Sequence, residues 1–228
     1  MKKILSNIHI FLIAGVLLIA CNSNKQGDSS EDQLPGAMSE SNGSSNVKIN
    51  GAGSTFDYPI FSKWFDNYYK TTGVQINYAS IGSGGGIQQI TSGTVDFGAT
   101  DAPMTEEQMN AFKDKQETEV LHIPIIIGGV AVTYNLPSAG QGLKLDGPTL
   151  ADIFMGKIKK WNDARIASLN PDKTLPAKPI LVAHRSDGSG TTFIFTDYLS
   201  KVSGAWANSI GSSTSVKWPV GLGGKGSE

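Results

Sequence analysis

The chain has 228 residues, 39% hydrophobic and 17% charged, with 19 Lys and Arg against 20 Asp and Glu. That length allows a substantial core in one or two domains. The near balance of charge argues against nucleic acid, which needs a clustered basic face, and one cysteine, Cys21, leaves no intrachain disulfide and no cysteine-ligated zinc site.

Residues 1–20 carry Lys2 and Lys3, no acid, and an apolar run over 8–20. This pattern predicts a secretory signal, too short and wrongly flanked for a stable membrane span. The run ends Leu18, Ile19, Ala20, Cys21, which resembles a bacterial lipobox and makes Cys21 the lipidated N-terminus of the mature chain. Loss of Lys2 and Lys3 leaves 17 Lys and Arg against 20 acids. A field of that sign repels anions, so any anion bound here must be held by local dipoles and hydrogen bonds. Between residues 22 and 46 the apolar residues are Leu34, Ala37 and Met38. That composition predicts a disordered tether, with a reach of roughly 25 to 30 Å as a flexible coil.

The remainder alternates strand and helix signals. A short strand over 47–50 precedes GAGSTF (51–56), and Pro59 suits the first turn of a helix reaching about Thr72 and ended by Gly73. Ile60, Phe61, Trp64, Phe65, Tyr68 and Tyr69 recur at helical spacing as a core face. A strand over 74–78 leads to IGSGGG (81–86) and a helix over 87–92, and a strand over 95–99 delivers Thr100 and Asp101. Thr105 with Gln108 fits a capping box. Residues 120–127 read as a strand buried on both faces of a parallel sheet, Gly128 and Gly129 as a hinge, and 130–134 as a further strand. There follow a helix capped by Thr149 and closed near Gly156, a helix over 163–169, a strand over 180–183, RSDGSGTT (185–192) and a helix over 191–199. Strand, loop, helix order predicts an α/β architecture with ligand sites at the C-terminal ends of strands.

GAGSTF, IGSGGG and RSDGSGTT each follow a strand signal and open a helix. The first turn of a helix has unpartnered N–H groups and about half a positive charge, glycine lets that backbone approach a ligand, and Ser/Thr hydroxyls add donors. Three such loops, with Arg185 in the third and Asp101 close by, predict a small tetrahedral oxyanion gripped from several sides. Catalysis is not expected. His184, Asp187 and Ser189 lie too close in sequence to converge as a triad, no G-x-S-x-G elbow is present, GSGTT lacks the lysine of a nucleotide phosphate loop, and Ile87 stands where a dinucleotide fingerprint needs glycine. His122 and His184 have no metal-ligand spacing, so neither metal nor cofactor is expected.

Six blocks in order, GAGSTF, IGSGGGIQQITSGTVDFGATDAP, IPIIIGGVAV, LADIFMGKIKKWND, RSDGSGTTFIFT and VKWPVGLGGKG, resemble the phosphate-binding proteins of the bacterial high-affinity phosphate ABC transporter. The resemblance implies a type II periplasmic-binding-protein clamshell with mixed, mostly parallel sheets: lobe 1 over 47–127 and lobe 2 over 128–228, the second incomplete at its C-terminus with apolar faces uncovered. It implies an extracytoplasmic, lipid-anchored monomer of the cell envelope that delivers inorganic phosphate to membrane permease subunits. Other readings are a binding protein for another tetrahedral oxyanion and a surface adhesive or sensory lipoprotein on this fold. Carried over residue by residue, Thr55, Phe56 (through its backbone) and Ser83 would hold phosphate from one side. Arg185, Ser189, Gly190 and Thr191 would hold it from the other, with Asp187 orienting Arg185. Asp101 takes the acceptor position. A carboxylate opposite an anion accepts an O–H from protonated phosphate, whereas sulfate has no proton to give and leaves two acceptors facing, a cost that supports discrimination.

Overall fold

A computed structural model describes residues 47–227. The expected signal segment, the lipidation at Cys21 and the tether over 22–46 lie outside the described residues.

Strand β1 (Lys48–Gly53) is the middle of a three-stranded parallel sheet, with β2 (Gln75–Ser80) on one side and β3 (Phe97–Ala99) on the other. The register runs from Lys48 opposite Gln75 to Gly53 opposite Ser80, and from Gly51 opposite Phe97 to Gly53 opposite Ala99. Between β1 and β2 runs α1 (Tyr58–Thr72), which ends where Gly73 takes the left-handed conformation at φ 74° and donates its N–H to Tyr69 O at 2.8 Å. Of the six residues expected as its core face only Phe61 is buried, and Trp64, Tyr68 and Tyr69 are exposed. Phe61 packs edge-on against Tyr78 and Phe97, with ring centroids 5.1 and 6.3 Å away. Helix α2 (Ser83–Thr91) links β2 to β3, and α3 (Glu106–Gln116) follows. The Thr105 capping box forms in full, Gln108 N–H donating to Thr105 Oγ1 and Thr105 N–H to Gln108 Oε1.

Residues 120–134 form no strand, contrary to both expectations for this stretch. Leu121, Ile123 and Ile127 are 80%, 71% and 100% exposed. Their side chains favour a pleated, half-buried surface, but no neighbouring strand accepts their backbone bonds among the described residues, and propensity without pairing makes no sheet.

Beyond a 3-10 turn (Pro137–Ala139) come α4 (Gly147–Phe154), α5 (Ala164–Leu169), β4 (Ala183–Arg185), α6 (Gly190–Val202), α7 (Gly204–Ser209) and β5 (Leu222–Gly224). The cap of α4 is Asp146, whose Oδ1 accepts from Thr149 N–H at 2.8 Å. Thr149 therefore sits inside the helix its sequence suggested it would cap. The strand expected over 180–183 begins only at Ala183, because Pro179 breaks the approach with an isolated antiparallel bridge to Lys160. β5 was not expected, since its glycines mask it; it pairs in parallel with β4, Ala183 opposite Leu222 and Arg185 opposite Gly224. Trp206 and Leu199 are fully buried beside Leu150, and Ile166 and Ile158 beside Ile153 and Val182, so α4 to α7 carry the core under this second sheet. Every strand pair of the two sheets is parallel, consistent with the α/β expectation.

Candidate functional site

All three glycine-rich loops leave the C-terminal ends of parallel strands, the ends at which α/β folds bind ligands. At the end of β1 the Ser54 N–H donates to Ala99 O at 2.9 Å, which ties the first loop to the end of β3. Ser54 is buried. Its hydroxyl donates to Asp101 Oδ1 and accepts the Phe56 N–H at 3.0 Å. The second loop folds back on the first, Ile81 and Gly82 N–H groups both donating to Gly53 O, at 3.1 and 2.8 Å. Ser83 then opens α2, and its Oγ accepts the Asp101 N–H at 3.2 Å.

The third loop leaves β4 at Arg185. The guanidinium forms a two-point contact with Asp187, Nε donating to Oδ1 at 2.6 Å and Nη2 to Oδ2. That leaves three of its five N–H donors, on an edge that fits a phosphate face as Lys could not. Bonding to Arg185 holds the Asp187 carboxyl below the usual carboxylate range. Ser189 caps α6, its Oγ accepting Thr192 N–H at 3.2 Å.

The loops touch one another. Gly84 N–H donates to Gly188 O at 2.9 Å, and Thr191 Oγ1 donates to Asp101 Oδ2 at 3.2 Å. A Cβ on Gly190 would stand 2.6 Å from both Asp101 Cβ and Ser83 Oγ, so only glycine permits this approach. Ser83, Asp101, Gly190 and Thr191 are thus brought to one point, with the Arg185–Asp187 pair on the same loop as the last two. Thr55 and Phe56 lie at the rim: the Thr55 hydroxyl meets Ser227 Oγ at 2.6 Å, and the half-exposed Phe56 ring sits over Gly128. Asp101 already accepts from two hydroxyls, those of Ser54 and Thr191.

Sequence reasoning missed Ser54, Asp57 and Ser227. Ser54 lay in the recognised loop but is indistinguishable there from other serines until burial is known. Asp57 is buried at the start of α1; burial first, and then the charge of Asp101, push its carboxyl up to about 6. Tyr78 is also pushed up, by burial and then by Asp57 and Asp101, while its hydroxyl donates to Ser54 O at 2.8 Å. Both histidines among the described residues have structural partners: His122 Nε2 accepts Met104 N–H at 3.2 Å, and His184 stacks on Trp218 at 4.8 Å with Nδ1 2.9 Å from Arg185 O. No group of three His, Cys, Asp or Glu side chains able to hold a metal occurs among the described residues.

A model of the PBP superfamily domain matches residues 38–221. The chain belongs to the PBP superfamily. Relatives of this PBP-superfamily chain include the phosphate-binding protein PstS of Pasteurella multocida, 57% identical over 79% of this chain and 51% of that protein. The PstS of Xylella fastidiosa is 46% identical over 95% of this chain and 59% of its own length. The chain therefore spans little more than half the length of the curated relatives it matches. A solved ABC-type phosphate transport receptor from Vibrio cholerae superposes with a TM-score of 0.44 at 14% identity, over 77% of this chain and 60% of that one. No helix among the described residues is long and apolar enough to cross a membrane.

Proposed function

We propose that the chain binds inorganic phosphate where the three loops meet, outside the cytoplasm, and passes it to the permease of an ABC transporter. The observation that carries this reading is the convergence of the starts of α1, α2 and α6 around Asp101, with glycine contacts that exclude any side chain between them. The names of its relatives support the same ligand. Phosphate would draw on Thr55, the Phe56 N–H, Ser83, Arg185, Ser189, Gly190 and Thr191, with Asp101 accepting the ligand's proton and Asp187 fixing Arg185. The ligand exchanges with bonds the loops now make among themselves, such as Thr191 to Asp101. Residues 47–127 and 128–228 would form the two lobes, and Cys21 would carry the lipid anchor of a monomer with no catalytic role.

Hydrogen bonds to charged groups contribute about 1.5 to 3 kcal/mol each, and a micromolar complex needs about 8 kcal/mol. A few such donors reach that level even after the costs of desolvation and ordering. Melting the full chain at neutral pH in millimolar phosphate or millimolar sulfate tests the reading. A ligand that binds only the folded form stabilises it by about 2.7 kcal/mol at a hundredfold excess over its Kd. Phosphate is expected to raise the Tm and sulfate to leave it unchanged; a cooperative melt indifferent to both anions overturns the reading. Replacing Asp101 by Asn should narrow the gap between the two anions, and undiminished discrimination would remove Asp101 from the acceptor role.

A further inference from the structure

Asp57 occupies the N-cap of α1, directly after the first loop. An aspartate at that position ordinarily accepts an N–H from the first helical turn, as Asp146 and Asp163 do at α4 and α5. Asp57 makes no such bond. Its backbone is helical, at φ −77° and ψ −22°, so the side chain swings away from the cap geometry. The residue is nevertheless only 7% exposed. The residue is thus largely buried beside the loops without a capping bond, its carboxylate oxygens keeping only an edge of solvent contact, a placement that ordinary helix stability does not explain.

Two titratable groups interact with it directly, Asp101 and Tyr78. Asp101, beyond β3, repels its charged form. Tyr78 of β2 feels that charge, but its hydroxyl donates to Ser54 O rather than to Asp57. Tyr58, the next residue on α1, stacks on Tyr78 with ring centroids 6.4 Å apart. Arg185, the cation of the three loops, is held by Asp187.

We propose that Asp57 couples phosphate binding to a proton: the anion binds when Asp57 is neutral and is repelled when Asp57 is ionised, so affinity falls as pH rises through neutrality. This inference rests on the proposed phosphate site. Burial and Asp101 already push the carboxyl up to about 6, and an anion among the loops raises it further, since a like charge disfavours ionisation. Below about pH 5 the free chain holds the proton already and binding needs none. Above the free-state value each binding event takes a proton from solvent onto Asp57, and affinity falls by as much as tenfold per pH unit until the bound-state value is passed.

Phosphate itself titrates near this range, so the test compares proteins with the ligand held fixed. Phosphate is titrated into the full chain, into Asp57→Asn and into Asp57→Ser, whose serine is itself a good N-cap, at several pH values from about 5 to about 8. At the acid end the variants should match the unaltered chain within about twofold, and at the alkaline end they should bind about tenfold tighter. If either folded variant gives a profile parallel to the unaltered chain across the range, Asp57 is not the coupling residue. If the unaltered chain binds no phosphate at any pH, the phosphate reading fails and this inference falls with it.

Discussion

Residues 48–53 and residues 120–134 pair in the opposite order from their β-propensities. KINGAG is half glycine and alanine, yet it forms the middle strand of a sheet, and its last three residues are buried. VLHIPIIIGGVAVTY is rich in β-formers, yet it pairs with no strand among the described residues and exposes Leu121, Ile123 and Ile127. A backbone pairing partner, more than local propensity, decides a strand. β1 lies between β2 and β3, whereas 120–134 is hydrogen-bonded to no strand among the described residues. The difference also bears on function, because the well-paired region is the one that carries two of the three loops.

The largest effect that sharpens this contrast is packing. Ile166→Ala, at a fully buried position, should cost about 2 to 5 kcal/mol. Ile127→Ala, at a fully exposed one, should stay within about 0.5 kcal/mol. Denaturant titration measures both, and equal costs would mean that 120–134 is packed after all.

Next comes the buried carboxylate at the edge of the paired region. Folding raises the Asp57 value from 3.8 to about 6, so the native state holds more protons between these values and stability falls as pH rises across them. Asp57→Asn should leave stability unchanged near pH 3 and raise it by about 1 to 3 kcal/mol near pH 8. Melting curves at the two extremes check the sign, and an unaltered pH dependence would show that Asp57 is as free in the folded chain as in the unfolded one.

A change of similar size and opposite sign is expected for Ser54→Ala, which removes the hydroxyl joining Phe56 N–H to Asp101. Leaving buried groups unpaired costs about 1 to 3 kcal/mol, and denaturant titration should find a value in that range. The smallest perturbation is hydrogen exchange on the unaltered chain. Amides of 120–134 should exchange close to the rate of an open chain while Ile49 to Gly53 amides are protected; comparable protection would erase the contrast from which these predictions start.

Much of the chain was legible from local chemistry. Gly73 ended α1, and Thr105 with Gln108 opened α3, because both signals act within one turn of helix. Where two candidate caps stood close together local chemistry failed: Asp146 took the role expected of Thr149, which left Thr149 buried inside α4. α7 went unseen because Ser203 ends α6 and caps the next helix in a single residue. β5 went unseen because Leu-Gly-Gly has no strand propensity and owes its conformation to β4. For the site, the three loops were visible as strand-to-helix glycine turns, and Asp101, Gly190 and Thr191 do meet. Ser54 and Asp57 were not visible, since their importance lies in burial and in a missing cap bond, which only packing reveals.

In the proposed function the loops form one anion site with Arg185 as its cation. Calorimetric titration of phosphate at neutral pH into the full chain and into Arg185→Ala tests it most directly, with circular dichroism confirming that the variant is folded. One saturable site is expected in the unaltered chain, with affinity weakened about a hundredfold in the variant, the loss of roughly one charge-assisted contact of about 3 kcal/mol. Equal affinity in two folded proteins would contradict it and take Arg185, and the loop that carries it, out of the site.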